Sequence, residues 1–359
     1  MPPSQLADPV DPTALTAWAN GRLPGTGTVE VSVLGEGHSN LTFLLSRPGT
    51  ATQWVLRRPP VGPLLPTAHD VVREFRVLSL LGQTSAPVRI PTVVALCEDP
   101  SVIGAPFYVM ERTAGTVVRD RLPAWLENDR GACHRLGVDL ADALAEIHSV
   151  DWSPFVAAGI GRPGGYLERQ LRRWSGQREG IQQAVAAAGG RARELPDYDL
   201  VRDWLRHHLP QETEPALVHG DFKLDNVIVA RDGDGAAGGP RVAAVVDWEM
   251  ATVGDPRADL GYLLSFWPQP GVAPVMAQTS VLGEGFPTGA EMVERWALRT
   301  GRRPGDTRWF VALAVWKLAI LLEASYHRWQ AGMSDDPFFA TLGTGVPALL
   351  ARARQVADV

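Results

Sequence analysis

The stretch Leu217-Val-His-Gly-Asp-Phe-Lys-Leu-Asp-Asn226-Val-Ile-Val229 restricts the possible folds more than any other part of the chain. Its ends are apolar and β-branched, as in strands, and its middle is a short polar loop carrying Asp221, Lys223 and Asn226. Farther along, Val242-Ala-Ala-Val-Val246 is a second very apolar strand that ends on Asp247, followed by Trp248 and Glu249. A carboxylate at the end of a buried strand is costly to desolvate unless a cation or hydrogen-bond donors meet it. The two segments therefore predict apolar strands that deliver Asp221, Asn226 and Asp247 to polar surroundings.

The chain before this region reads as a small antiparallel sheet with one main helix. A short helix is expected over residues 11–20 and a strand over Val29–Leu34, leading into the turn Gly35-Glu-Gly-His-Ser-Asn40. Leu41–Ser46 and Gln53–Arg57 follow as strands around the turn 47–50. The spacing of Val71, Val72, Phe75, Leu78 and Leu81 predicts a helix over Ala68–Leu81 with Thr67 as its N-cap and Glu74 inside it. Pro91–Leu96 and Pro106–Glu111 complete five strands. Beyond them the pattern is mostly helical. Leu136, Leu140, Leu144 and Ile147 mark the buried stripe of a helix over Arg130–His148, residues 159–206 form an arginine-rich helical region, and helices dominate again from Asp259. The segment 232–240, rich in glycine, reads as a hairpin loop.

Phosphoryl transfer to a hydroxyl needs the residues found in the polar loop. An aspartate orients the nucleophile and accepts its proton, and an asparagine farther along ligates magnesium. The Asp221-to-Asn226 spacing equals that of the protein-kinase loop H-R-D-x-x-x-x-N, and Asp247 stands where the magnesium-binding aspartate of D-F-G would follow. The pair H-G-D-x-x-x-x-N and D-W-E resembles the aminoglycoside phosphotransferase and choline kinase superfamily. The resemblance covers nearly the whole chain. It is closer still to the phosphotransferase-like domain that precedes the dehydrogenase in some acyl-CoA dehydrogenase family proteins, through Trp54-Val-Leu-Arg-Arg-Pro-Pro60, Arg73-Glu-Phe-Arg-Val-Leu78, Cys97–Glu111, Gly165–Trp174 and Gly254-Asp-Pro-Arg-Ala-Asp-Leu260.

The resemblance implies an α+β, protein-kinase-like fold in two lobes. Residues 1–112 would be the nucleotide-binding lobe, a small antiparallel sheet with one main helix. Residues 113–359 would be the larger, mostly helical lobe that binds the acceptor. ATP and magnesium are the implied cofactors, with Asp221 as the catalytic carboxylate, Lys223 as the charge that meets the transferred phosphoryl group, and Asn226 and Asp247 as the metal ligands. Gly35, Gly37 and Ser39 would lie over the phosphates, and Met110, Glu111 and Arg112 would meet adenine. Arg57, with Arg58 as the other candidate, stands where a kinase carries its phosphate-binding lysine, and Glu74 would be its ion-pair partner. His219 and Asp259 are expected to anchor the catalytic loop, and Glu249 to approach either metal or substrate.

Composition narrows the partners. A net charge of -6 disfavours a nucleic-acid binder, which needs a basic face. No stretch reaches eighteen uninterrupted apolar residues, and Cys97 and Cys133 lack the spacing of a zinc site, so the expectation is a cytoplasmic protein with no membrane partner. The 34 basic residues include only two lysines, Lys223 and Lys317. Arg162, Arg169, Arg172, Arg173 and Arg178 read either as a solvated helix face or as a surface for an anionic acceptor. The second alternative favours a hydroxyacyl thioester of coenzyme A or another anionic metabolite as the small-molecule hydroxyl acceptor, with a functional link to an acyl-CoA dehydrogenase. An aminoglycoside acceptor and a non-catalytic nucleotide-binding pseudokinase are the competing expectations. A protein kinase fits less well, since H-G-D replaces H-R-D, D-W-E replaces D-F-G and no A-P-E follows.

Overall fold

The structure is a computed structural model that describes residues 10–34, 40–60, 70–119, 121–231, 239–268, 283, 285–333 and 336–359. In chain order it runs α1 (Pro12–Ala19), β1 (Glu30–Val33), β2 (Leu41–Ser46), β3 (Trp54–Arg58), α2 (Val71–Leu81), β4 (Val93–Cys97), β5 (Phe107–Glu111) and β6 (Thr116–Val117). It continues with α3 (Arg130–His148), α4 (Ser153–Ala157), α5 (Tyr166–Ala187), α6 (Pro196–His207), β7 (Ala216–Val218), β8 (Val227–Arg231), β9 (Pro240–Val245) and β10 (Thr252–Gly254). Among the described residues it closes with α7 (Arg257–Phe266), α8 (Gly289–Thr300), α9 (Arg308–Gln330) and α10 (Pro337–Ala357). The chain divides into two compact units. A sheet unit comprises Pro2–Val117 and Asp225–Ala251, and a helical unit is built mainly from Val118–Leu224 and Thr252–Val359.

In the sheet unit five antiparallel strands lie in the order β1-β2-β3-β5-β4. β2 alternates, turning Phe43 and Leu45 inward, whereas all five residues of the central β3 are buried. Leu15, Phe43, Leu45, Trp54, Leu56, Phe107 and Val109 form one core with α1. Helix α2 begins at Val71, three residues later than the apolar spacing predicts. The Asp70 carboxylate accepts from the Arg73 N–H and caps it, and Thr67 lies outside the described residues. Its buried face holds Val71, Glu74, Val77, Leu78 and Leu81, so Val77 takes the inward place expected of Val72 and Phe75. A three-stranded sheet, β6-β8-β9, belongs to the same unit. Gly115 leads into it at φ 145°, where an added Cβ would stand 2.6 Å from both Ile228 Cγ2 and the Val229 oxygen, a place only glycine fits. The Val245 N–H donates to the Arg89 oxygen at 2.8 Å and ties this hairpin back to the unit.

In the helical unit α3 packs on α8, and α9 packs on both α7 and α10. The strands β7 and β10 pair antiparallel, Val218 opposite Thr252. Helix α9 is long and apolar enough to cross a membrane, but 72% of that apolar window is buried within the protein. Trp174, Trp267, Trp296, Trp309 and Trp316 are likewise core residues. The five arginines of the 162–178 region do not share one face. Arg178 is buried and pairs with Glu323 at 3.3 Å, Arg169 donates to the carbonyls of Arg162 and Gly164, and Arg172 pairs with Glu168 at the surface.

Candidate active site

The loop residues from His219 to Lys223 belong to the helical unit. After β7 the chain passes through His219 and through Gly220 at φ 85°, then reaches Asp221 and Lys223. His219 is fully buried, and its Nδ1 accepts from the Asp221 N–H at 3.3 Å. Asp259, near the start of α7, accepts from the His219 N–H at 2.6 Å through Oδ2 and from the Gly220 N–H at 2.8 Å through Oδ1. Behind it His148 Nε2 approaches Oδ2 at 3.3 Å, while Trp296 Nε1–H donates to His148 Nδ1 at 2.8 Å. The tryptophan bond leaves the imidazole proton on Nε2, pointing at Asp259. Burial pulls the His148 pKa below its ordinary value despite Asp259, so this histidine is a neutral donor.

Asp221 sits at the end of this braced loop. Lys223 Nζ lies 3.3 Å from its Oδ2. Burial works to raise the carboxyl pKa, but Lys223, then Lys317, the Tyr262 hydroxyl and His219 outweigh it and hold Asp221 below the usual carboxylate range. The carboxylate is therefore ionised at neutral pH.

The sheet unit carries the second cluster. Arg57 on β3 lies with Nε 3.2 Å from Glu74 Oε2 and Nη2 3.1 Å from Asp247 Oδ1, bridging helix α2 to a carboxylate two residues past the end of the apolar strand β9. The Glu74 contact is an ion pair and not a hydrogen bond by angle. A lysine ammonium cannot span two carboxylates with two nitrogens of a planar fork, and this is what arginine contributes here. Burial opposes the Arg57 charge, yet Glu74, Tyr108, Asp247 and Glu249 hold its pKa above the ordinary value. Burial pushes Glu74 up to about 7, against Arg57 and the Trp248 N–H, which donates to Glu74 Oε1 at 3.0 Å. Arg58 turns away and donates to the carbonyls of Pro59 and Ile103, at 3.2 and 2.7 Å, so the Glu74 partner is Arg57.

Asp247 has φ 67°, a left-handed conformation rare for a non-glycine residue and common at functional sites. The segment after it is fixed from three sides: Glu74 holds Trp248 N–H, Arg73 Nη1 donates to the Glu249 oxygen at 2.9 Å, and Asn40 Nδ2 donates to Glu249 Oε2 at 3.2 Å. The Val246 N–H donates to the Asn226 oxygen at 2.9 Å, which sets the asparagine beside the strand end that bears Asp247. A carboxamide and a carboxylate are hard oxygen donors, the set magnesium takes when substrate phosphates and water complete its shell. Among the described residues no cluster of three His, Cys, Asp or Glu side chains forms a separate metal cage.

At the end of β5, Met110 pairs opposite Val55 and Glu111 opposite Trp54. The Glu111 N–H donates to the Thr92 oxygen and the Arg112 N–H to the Gln53 oxygen, so these two amides serve the sheet. Gly35, Gly37 and Ser39 lie outside the described residues. The structure thus joins Arg57, Glu74 and Asp247 in one cluster and Asp221 with Lys223 in another. Lys317 and Tyr262, both acting on Asp221, belong to no motif of the sequence. The scarcity of lysine was the one available signal for Lys317.

Comparison with known proteins agrees with this geometry. Residues 30–292 match the model of the phosphotransferase enzyme family. The chain is 36% identical to mouse acyl-CoA dehydrogenase family member 11 over 94% of its own length, and it spans only 42% of the length of that relative. Its structure superposes on that of a Ralstonia eutropha protein assigned to the aminoglycoside phosphotransferases with a TM-score of 0.74 and 30% identity, covering 97% of this chain and 98% of the other. The GDP complex of aminoglycoside 2'-phosphotransferase-IIIa shares the fold at a TM-score of 0.61 and 18% identity, over 96% and 99% of the two chains. With an antiparallel-sheet unit, a helical unit and this match over most of its length, the chain is an α+β protein of kinase-like fold and belongs to the phosphotransferase enzyme family.

Proposed function

We propose that this protein transfers the γ-phosphate of ATP, with magnesium, to a hydroxyl of a small anionic metabolite, a hydroxyacyl thioester of coenzyme A being the preferred class. The observation that carries the reading is Asp221 on a loop braced by Asp259, with Lys223 at 3.3 Å. A carboxylate held below its ordinary pKa is a weak base. It orients the acceptor hydroxyl and receives the proton late, as suits the loose transition state of phosphoryl transfer. Lys223 places positive charge where the transferred group gains negative charge. Asn226 and Asp247 would hold magnesium, which when bound neutralises charge on the phosphates. Arg57, fixed by Glu74, would bind the phosphates of the nucleotide, with Gly35, Gly37 and Ser39 over them and the strand end at Met110–Arg112 near adenine.

For the acceptor, the support is the positive charge of Lys223 and Lys317 acting on Asp221, and the similarity to an acyl-CoA dehydrogenase family member. That same similarity is the ground for a functional link to such a dehydrogenase. The aminoglycoside alternative draws on the likeness to the Ralstonia protein. Incubation of the wild type and Asp221→Asn with magnesium, γ-labelled ATP and a panel of hydroxyacyl-CoAs, kanamycin, choline and sugars tests the proposal. Label should reach a hydroxyacyl-CoA with the wild type and be lost with the variant. Transfer to kanamycin alone would establish the alternative, and ATP binding without transfer to any acceptor would indicate a pseudokinase.

A further inference from the structure

Every residue of α9 from Trp309 to Ile320 is buried, and the one charged side chain in that run is Lys317. Burying an ammonium is unfavourable unless something specific compensates. Lys317 Nζ donates to the Gly220 oxygen at 2.6 Å and lies 4.9 Å from the ring centre of Tyr262 and 5.4 Å from that of Trp174. The Gly220 oxygen and the Asp221 N–H belong to one peptide group. Lys317 holds its oxygen, and the His219 ring holds its N–H. The preceding peptide is held by Asp259 through the Gly220 N–H. A buried cation and a buried anion thus clamp successive peptides of the loop that carries Asp221.

The charges acting on Lys317 are Asp221 and Asp259, which favour its ammonium, and Arg173 and Lys223, which oppose it. Burial is the largest effect and lowers its pKa to about 8. A cavity bounded by Tyr166, Gln170, Gly220, Tyr262 and Lys317 has a volume of about 20 Å³. That is room for one water beside the ammonium, whose hydrogen bond goes to the loop.

We propose that Lys317 is a positioning residue for phosphoryl transfer, setting the Gly220–Asp221 peptide through its hydrogen bond and adding positive charge to the loop that carries Asp221. The inference rests on the catalytic role given to Asp221 above. Two variants separate the parts. Lys317→Met removes bond and charge, and Lys317→Gln keeps a donor without the charge. The carboxyl carbon of Asp221, identified by its disappearance in Asp221→Asn, is followed by NMR against pH. In both variants it should titrate at higher pH than in the wild type. With only two lysines in the chain, carbon-labelled lysine yields two side-chain signals, assigned through Lys223→Arg, and the Lys317 signal should titrate near pH 8. In turnover, Lys317→Met should lower kcat about 10- to 100-fold with the KM for ATP unchanged. Lys317→Gln should recover part of kcat while the acid limb of its pH profile stays shifted upward. An Asp221 titration identical in all three proteins would overturn the electrostatic part, and a wild-type kcat in Lys317→Met would overturn the positional part. Absence of transfer by the wild type would count against the proposed reaction, while the Asp221 titration would still decide what Lys317 does.

Discussion

Replacing Asp259 by alanine should cost this protein several kcal/mol, and the structure supplies the arithmetic. The carboxylate is 1% exposed and accepts from three donors: the His219 N–H at 2.6 Å, the Gly220 N–H at 2.8 Å and His148 Nε2 at 3.3 Å. Each buried donor left without an acceptor costs about 1–3 kcal/mol, and since such losses are not additive the total should be about 3–6 kcal/mol. Asp259→Asn preserves the volume but not the chemistry. Its amide keeps one accepting oxygen and turns an NH₂ toward a donor, so the loss should be about 2–4 kcal/mol. Urea unfolding followed by tryptophan fluorescence measures both, with the slope checked so that midpoints convert to free energies. Because the released peptides lead into Asp221, kcat should fall along with stability. A loss below about 1 kcal/mol for the alanine variant would refute the claim that Asp259 is the acceptor on which this loop depends.

Two other substitutions test the packing of each unit. Arg57→Ala leaves Glu74, fully buried, without its cation, and should therefore cost about 3–5 kcal/mol in addition to weakening ATP binding. Thermal denaturation and a nucleotide titration read the two effects separately, and an unchanged melting temperature would contradict the buried bridge. Gly261→Ala would set a Cβ 2.4 Å from Phe310 Cβ and 2.5 Å from its carbonyl carbon, where α7 and α9 meet. The clash, about 1–3 kcal/mol, outweighs the gain of about 1 kcal/mol in helix propensity, so the variant should melt lower, and a higher melting point would show the contact to be looser than described.

Much of this was legible in the sequence where the signal was local and periodic. Helix α3 occupies Arg130–His148, the span its leucine stripe predicts, and β2 occupies Leu41–Ser46. The strands flanking the polar loop and the Arg57–Glu74 pair also stand where they were expected. What stayed hidden depends on contacts distant in the chain or on elements too short to show a period. β6 has two residues and β10 three, fewer than any alternation needs. The apolar spacing extends α2 too far toward the N-terminus because Asp70, its cap, ends the non-helical backbone. The basic region 162–178 looked like a surface, yet Arg178 is spent on the buried Glu323 of α9. Lys317 meets Gly220 across 97 residues, and nothing near it in sequence marks it as other than a lone charge in an apolar helix.

A single-turnover measurement decides whether Asp221 directs the transfer of phosphate from ATP to a metabolite hydroxyl. The wild type and Asp221→Asn would be mixed with magnesium, γ-labelled ATP and a hydroxyacyl-CoA, and labelled product counted against time. The wild type should form phosphorylated product only with the acceptor present, and Asp221→Asn should lose it while still binding ATP. Near-normal transfer by Asp221→Asn would contradict this role.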